Sequence, residues 1–155
     1  AMTGWRVGYI GAPEWIAKAC TKLQGQTTSG TNCIAQRAAI TALKSPLSKI
    51  KYMIDEFNFR RNRILDLIKD IDGFKINRPK GAFYVFPDIS NFIGKSINGK
   101  EIKNATDFSL FLLEKANVAT VTGDAFGCPN NIRISYAASL EKIEDALNRI
   151  KNVLN

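Results

Sequence analysis

The chain has 155 residues, of which 45% are hydrophobic and 23% are charged, and its formal net charge is +8. This composition is typical of a globular protein and too apolar for a disordered one. The sequence contains no histidine, which excludes Ser-His-Asp and Cys-His catalytic sites and zinc sites with imidazole ligands, so we expect no metal.

Composition also bears on location and partners. No apolar run approaches the ~20 residues of a membrane span, and no basic-then-apolar leader opens the chain, so we expect no membrane partner. Three cysteines without a C-x-x-C pair favour a reducing compartment, the cytoplasm. The basic residues are spread out with no run of five or six, which favours a solvated basic surface over a nucleic-acid groove.

The first 44 residues predict one strand and two helices. Apolar residues over 5–10 indicate a buried strand, and a helical stripe runs from Pro13 to Gly25. A polar loop over 26–32 precedes an Ala-rich helix over 33–44, which ends before a Ser-Pro pair.

The rest of the chain predicts a long helix followed by an alternation of strands and helices. The helix covers residues 47–71, where apolar positions hold one face and Asp72-Gly73 follows. After it we predict strands over 74–78, 81–89, 118–121 and 131–138, an exposed loop or hairpin tip over 90–104, a turn over 123–127, and helices capped by Thr106 and Ser139. This order predicts an α/β or α+β lobe in which helices cover one sheet.

Two arginines stand in apolar surroundings. Arg6 follows Trp5 in the first predicted strand, and Arg133 lies in the middle of NIRIS, on the face opposite Ile132 and Ile134. A guanidinium is always charged and matches the planar fork of a carboxylate or phosphate, so such an arginine can bind an anion. The alternative for each is an ion pair with Asp or Glu, or an exposed strand face.

Four motifs, AMTGWRVGY, GAFYVFPD, GDAFG and IRISYAAS, occur in an order and separation that resemble the class I/II pyridoxal-phosphate (PLP) aminotransferases, above all the bacterial aspartate aminotransferases. The resemblance covers nearly the whole chain and about the last two-fifths of the family's length. It implies fold type I, with residues 1–44 as the tail of the large PLP-binding domain, 45–73 as a long bridging helix and 74–155 as the C-terminal small domain.

The same resemblance implies roles for particular residues. Arg6 would bind the phosphate of PLP, and Arg133 would bind the α-carboxylate of the amino acid. Thr28 and Ser29 would lie near a subunit interface where one protomer completes its neighbour's site. The implied reaction moves an amino group from an L-amino acid, with aspartate the expected one, to 2-oxoglutarate in a homodimer.

The sequence also departs from the family's pattern. The lysine that forms the Schiff base with PLP lies eight residues before the TGWR arginine in the family, which is upstream of Ala1 here, so no catalytic residue is expected in this chain. We therefore expect the chain alone to be inactive and not to bind PLP. Thr122 also stands where the family often has proline. Two alternatives stay open: a non-catalytic basic module that binds nucleic acid or a regulator, and a lyase or synthase of the same fold.

Overall fold

The structure is a computed structural model that describes residues 3–155. The chain divides into two compact units, which meet in sequence between Lys51 and Tyr52. Each unit is described by itself below.

The first unit is built from short helical segments. A 3-10 turn covers Thr3–Trp5, and two α-helices follow, α1 over Glu14–Thr27 and α2 over Cys33–Lys44. The predicted strand over residues 5–10 is wrong: the chain there is irregular, and Tyr9 is 80% exposed. A strand needs a neighbour for its backbone hydrogen bonds, and the described part of this unit contains no other strand.

The two helices follow the sequence prediction closely. Helix α1 continues two residues beyond Gly25, where the prediction ended it. Helix α2 has the predicted bounds, and it begins where the Asn32 side chain accepts hydrogen bonds from the backbone N–H groups of Ile34 and Ala35. Such a cap satisfies donors that have no partner inside the helix.

The predicted long helix is present in two pieces. A 3-10 turn over Leu47–Ile50 closes the first unit, and helix α3 follows over Lys51–Lys69. The second unit begins within α3, whose C-terminal half buries Ile64, Leu65 and Ile68.

A three-stranded antiparallel sheet forms the centre of the second unit. Its strands are β1 over Tyr84–Val85, β4 over Val121–Thr122 and β5 over Ile132–Ser135, and β5 lies between the other two. The strands are shorter than predicted. Of the predicted strand over 74–78, only a single bridge between Lys75 and Asp88 is present.

A hairpin and two helices complete this unit. Strands β2, over Lys95–Ile97, and β3, over Lys100–Ile102, pair around Asn98-Gly99, as the prediction of a hairpin tip over 90–104 allowed. Helices α4, over Ala105–Ala116, and α5, over Leu140–Leu154, pack against each other.

The predicted helix caps are only partly present. Asn104, not Thr106, caps α4, since the Asn104 side chain accepts a hydrogen bond from the backbone N–H of Asp107 at 2.8 Å. Ser139 occupies the cap position of α5 but makes no side-chain cap hydrogen bond.

One hydrophobic core joins the sheet to the helices of the second unit. Val85, Ile132 and Ile134 face it from the strands, and Phe108, Phe111 and Leu112 face it from α4. α5 contributes every third or fourth residue, namely Ile143, Leu147 and Ile150. The observed mixture of helices and small sheets agrees with the predicted α/β class. Among residues 3–155, no helix is both long and apolar enough to cross a membrane.

Candidate functional site

Arg133 lies on the face of the sheet that points away from the core. Its neighbours in β5, Ile132 and Ile134, are 0% and 8% exposed, so the alternation of a strand places Arg133 and Ser135 on the other side, as predicted. Tyr84 of β1 pairs with Ser135, and Val121 of β4 pairs with Arg133, so all four residues share this outer face.

Two aromatic rings contact the guanidinium of Arg133. Its central carbon lies 4.3 Å from the centroid of the Tyr84 ring and 4.7 Å from that of the Phe126 ring. A cation over a ring face is attracted by the negative potential of that face. Neither ring is among the candidate site residues predicted from the sequence. The alternation of the strand could have placed Tyr84 on this face, but nothing in the sequence places Phe126 there.

The guanidinium of Arg133 has no anionic partner in the described part of the chain. Among residues 3–155 it makes no ion pair and no side-chain hydrogen bond, whereas Arg60, Arg63 and Arg149 each contact a carboxylate within 3 Å. Of the alternatives left open by the sequence, an ion pair with Asp or Glu is not present for Arg133 among the described residues. Its five N–H donors remain free for an anion.

Phe126 is carried by a tight turn whose shape depends on two glycines. The turn is a 3-10 segment over Gly123–Phe126, and Gly127 follows it in the left-handed conformation with φ of 71°. A Cβ on Gly123 would overlap the backbone carbonyl oxygens of Cys128 and Asn131, so only glycine fits there without a backbone shift.

A small polar cluster ties the start of this turn to α4. Thr122 precedes the turn and its hydroxyl donates to Asp124 Oδ2 at 2.9 Å. The hydroxyl of Thr106, on α4, donates to the same carboxylate at 3.2 Å and lies 3.2 Å from the Thr122 hydroxyl. Thr122, where the family often has proline, thus contributes side-chain hydrogen bonds that proline could not make.

Arg6 belongs to the first unit, and its guanidinium contacts no carboxylate in the part of the chain that the structure describes. The residue is exposed, its φ is 52°, and its only described side-chain hydrogen bond goes from Nη1 to the Thr3 carbonyl at 3.4 Å. A non-glycine residue with positive φ is uncommon, so the backbone at Arg6 is held in an unfavourable region. The side chain is available to an anion.

Thr28 and Ser29 end helix α1. The Thr28 N–H donates to the Gln24 carbonyl, and its hydroxyl accepts from the Gln24 side-chain amide. Ser29 follows with a φ of 65°. Both residues are exposed, and no described contact joins them to Arg6. Thr28 is the C-cap of α1, and the structure gives Ser29 no side-chain hydrogen bond among the described residues.

Two groups near β5 have shifted pKa values, and both support the fold of this region. Burial raises the pKa of Tyr136, which is 1% exposed and whose hydroxyl donates to the Ala82 carbonyl at 2.9 Å. Hydrogen bonds from Ser90, and to a lesser degree the charge of Lys75, lower the pKa of Asp88. The Asp88 backbone exchanges two hydrogen bonds with that of Lys75, and its neighbours Pro87 and Ile89 make the backbone hydrogen bonds that pair this segment with the chain around Asn131, just before β5.

The chain matches the model of a known protein family over nearly its whole length. The model of the family described as aminotransferase class I and II matches residues 1–150. This chain belongs to the class I and II aminotransferases. A bifunctional aspartate aminotransferase and glutamate/aspartate-prephenate aminotransferase of Petunia hybrida is 44% identical to it, over 99% of this chain and 33% of the Petunia protein.

Solved structures of this family share its fold. The crystal structure of the aspartate aminotransferase from Rhizobium meliloti superposes with a TM-score of 0.86 at 42% identity, over 99% of this chain and 38% of that one. An aromatic aminotransferase from Pyrococcus horikoshii gives a TM-score of 0.81 at 36% identity, over 99% and 39%. The chain therefore has the fold of part of a fold type I aminotransferase, and it spans between a third and two-fifths of the length of these relatives.

Proposed function

We propose that the protein to which this chain belongs is a PLP-dependent aminotransferase that moves an amino group from an L-amino acid, with aspartate the expected one, to 2-oxoglutarate. The observation that carries this proposal is the Arg133 guanidinium on the outer face of β5, which makes no ion pair within residues 3–155, in a chain of this family. Membership alone does not select the substrate, since the similar proteins named above include aspartate, prephenate and aromatic aminotransferases.

The chemistry of Arg6 fits part of a PLP site. Its exposed guanidinium makes one long hydrogen bond to a carbonyl and no ion pair among the described residues, so it can donate to the phosphate group. PLP, when bound, supplies the electron sink for transamination. The role of Arg6 in this proposal is to anchor the phosphate while the amino group is transferred.

Arg133 would bind the α-carboxylate of the amino acid. A carboxylate can accept two parallel N–H bonds from one guanidinium, and this geometry fixes both its position and its plane. Holding the carboxylate in this way would orient the substrate's Cα–H bond for proton removal, because a bidentate contact removes rotational freedom before the reaction.

Several further assignments form part of the proposal. Residues 1–44 would be the tail of the large domain, 45–73 the bridging segment and 74–155 the small domain; the division of the chain near Lys51 supports separating the first from the last. The Schiff-base lysine would lie in the part of the relatives' length that this chain does not span, so the chain alone would be inactive and would not bind PLP. Thr28 and Ser29 would face a partner subunit in a homodimer, and the protein would work in the cytoplasm.

The test replaces Arg133 in the complete protein. We expect Arg133→Ala to raise the KM for the amino acid and to lower kcat/KM roughly a hundredfold. This factor corresponds to about 3 kcal/mol of lost binding, because a charge-assisted contact is removed. Arg133→Lys should keep part of the activity, since it retains the charge but not the fork. Arg78→Ala removes an exposed arginine of the same unit and serves as the control.

Product analysis separates the alternative functions. L-Aspartate and 2-oxoglutarate should yield oxaloacetate and glutamate; release of ammonia or formation of a condensed product would instead indicate a lyase or synthase. Binding to nucleic acid that weakens steeply with salt, together with no turnover, would favour the basic binding module. A kcat/KM unchanged by Arg133→Ala would contradict the role of Arg133.

A further inference from the structure

Arg133 is a cation whose described neighbours are rings rather than anions. The rings of Tyr84 and Phe126 both lie within 5 Å of the guanidinium carbon, and within residues 3–155 they make no ring contact with each other. The guanidinium therefore makes two separate ring contacts, one with each aromatic side chain. A ring face attracts a cation through its negative potential and takes up none of its N–H donors, so these contacts can hold the Arg133 side chain while the donors that bind a carboxylate stay available.

Both rings are themselves fixed. Tyr84 lies in β1, where it pairs with Ser135, and its ring centroid is 4.5 Å from that of Phe83. Phe126 ends the turn built on Gly123, and its ring meets that of Phe86 edge-on at 5.9 Å. Two anchored rings restrict the rotamers of the arginine between them before any ligand arrives.

We propose that Tyr84 and Phe126 are positioning residues that hold the Arg133 guanidinium in one orientation with its N–H edge presented to the α-carboxylate. The proposal rests on the carboxylate-binding role of Arg133 given above and adds the residues that fix its geometry. A long side chain that is already ordered loses less conformational entropy when the substrate binds, so the amino acid binds more tightly.

The first experiment measures steady-state kinetics of the complete protein with Tyr84→Leu and Phe126→Leu. Each variant should raise the KM for the amino acid about threefold to tenfold, as expected for loss of one cation–π contact, with a smaller change in kcat. Tyr84→Phe keeps the ring and should retain the KM. Phe59→Leu makes the same chemical change at an exposed position of α3 without a described contact to Arg133, so its KM should not change.

Coupling to Arg133 separates positioning from a general structural effect. In an Arg133→Ala background, Tyr84→Leu and Phe126→Leu should have no further effect on KM, because the side chain on which they act is absent. If Tyr84→Leu or Phe126→Leu raised the KM in the Arg133→Ala background by the same factor as in the wild-type protein, the proposal would be overturned.

The two hypotheses fail in different ways. If Arg133→Ala leaves the KM unchanged, the carboxylate-binding role is wrong. If Arg133→Ala raises the KM while the KM values of Tyr84→Leu and Phe126→Leu equal that of Phe59→Leu, only the positioning role is wrong.

The second experiment needs no activity and uses this chain as it stands. In a ¹⁵N-labelled sample, ring currents should shift the Nε–Hε signal of Arg133 away from those of the other arginines, and each Leu variant should move it back toward them. Phe59→Leu should leave it in place. A wild-type Arg133 signal that coincides with those of the exposed arginines would contradict the two ring contacts.

Discussion

Arg6 and Arg133 carry the same charge but are held in different ways. Arg133 lies on a strand and its guanidinium contacts two aromatic rings, whereas Arg6 is exposed and its backbone lies in the left-handed region. Both lack a carboxylate partner among residues 3–155, which is the property that a site for an anion requires.

Replacement of Arg6 tests its proposed contact with the phosphate. Arg6→Ala in the complete protein should weaken the retention of PLP by about 1.5–3 kcal/mol, the usual size of a hydrogen bond to a charged group. Dialysis followed by the absorbance of the retained cofactor measures the loss. Lys18→Ala, which removes an exposed cation of the same unit, should retain PLP. Wild-type retention by Arg6→Ala would contradict the assignment.

Asp88 gives a prediction for the pH dependence of stability. Hydrogen bonds from Ser90 are the main cause that lowers the pKa of Asp88 in the folded chain from that of an ordinary aspartate. Its stabilising contribution is therefore present above the unfolded-state pKa and is lost as the pH falls through the folded-state pKa. Asp88→Asn should cost about 1 kcal/mol at pH 7 and progressively less below pH ~4, since the amide keeps the shape but not the charge.

Urea denaturation at several pH values measures this difference. Asp72→Asn is the matched control, because Asp72 is exposed and has no described hydrogen bond or ion pair among residues 3–155. An Asp88→Asn penalty that stays constant from pH 7 to pH 3 would show that the carboxylate charge does not contribute.

At the scale of single elements, the positions of the long helices and of the three sheet strands are predictable, but the short extent of the strands and their pairing are not. Helices α2 and α5 have apolar residues at helical spacing, and α2 has the predicted bounds. Strands β1 and β4 are two residues long, and partners far along the chain define them: Tyr84 pairs with Ser135, and Val121 with Arg133. Local sequence contains no information on such pairings.

The site was predictable to a similar extent. The alternation in NIRIS correctly places Arg133 opposite the core, because a strand buried on one face fixes the direction of every side chain. The buried strand predicted around Arg6 is absent, since an apolar run cannot show whether a second strand is available to pair with it. Phe126 was missed because its contact depends on the shape of a turn.

The turn over Gly123–Phe126 gives a prediction at this scale. Gly123→Ala should destabilise the second unit by about 1–3 kcal/mol, because the added methyl group meets the carbonyl oxygens of Cys128 and Asn131 and the backbone must move. The midpoint of urea denaturation measures the change. Gly81→Ala adds a methyl group to open space at an ordinary φ and should change stability little. Equal midpoints for the two variants would contradict the tight fit at Gly123.

At the scale of the whole chain, the two units differ in how much apolar surface they bury. In the described part of the first unit, Ala35 is the sole buried residue. Large apolar side chains of that unit are instead exposed, among them Trp5, Tyr9, Ile10, Trp15, Leu23, Ile34, Leu43 and Leu47. The second unit buries a continuous core of some twenty residues. Since burial of apolar surface is the main source of stability, the first unit should open far more easily.

Limited proteolysis tests this difference. Trypsin should cut first at Arg37 and Lys44 and leave a resistant fragment that begins near residue 52, because cleavage requires local opening. Lys142 and Arg37 are both exposed, but Lys142 lies on α5, a helix that packs against the core. Trypsin should therefore cut at Lys142 later than at Arg37. Mass spectrometry of a time course gives the order of cuts. Equal rates at Arg37 and Lys142 would contradict the prediction.

The tip of the β2–β3 hairpin is fastened to the tail of the chain. The side-chain amide of Asn98 donates to the carbonyl of Val153, 55 residues further on, at 2.9 Å. Removing the last few residues of this chain would therefore remove a hydrogen bond that holds a hairpin formed much earlier in the sequence. An affinity tag joined at Asn155 would begin two residues from the carbonyl that accepts this bond.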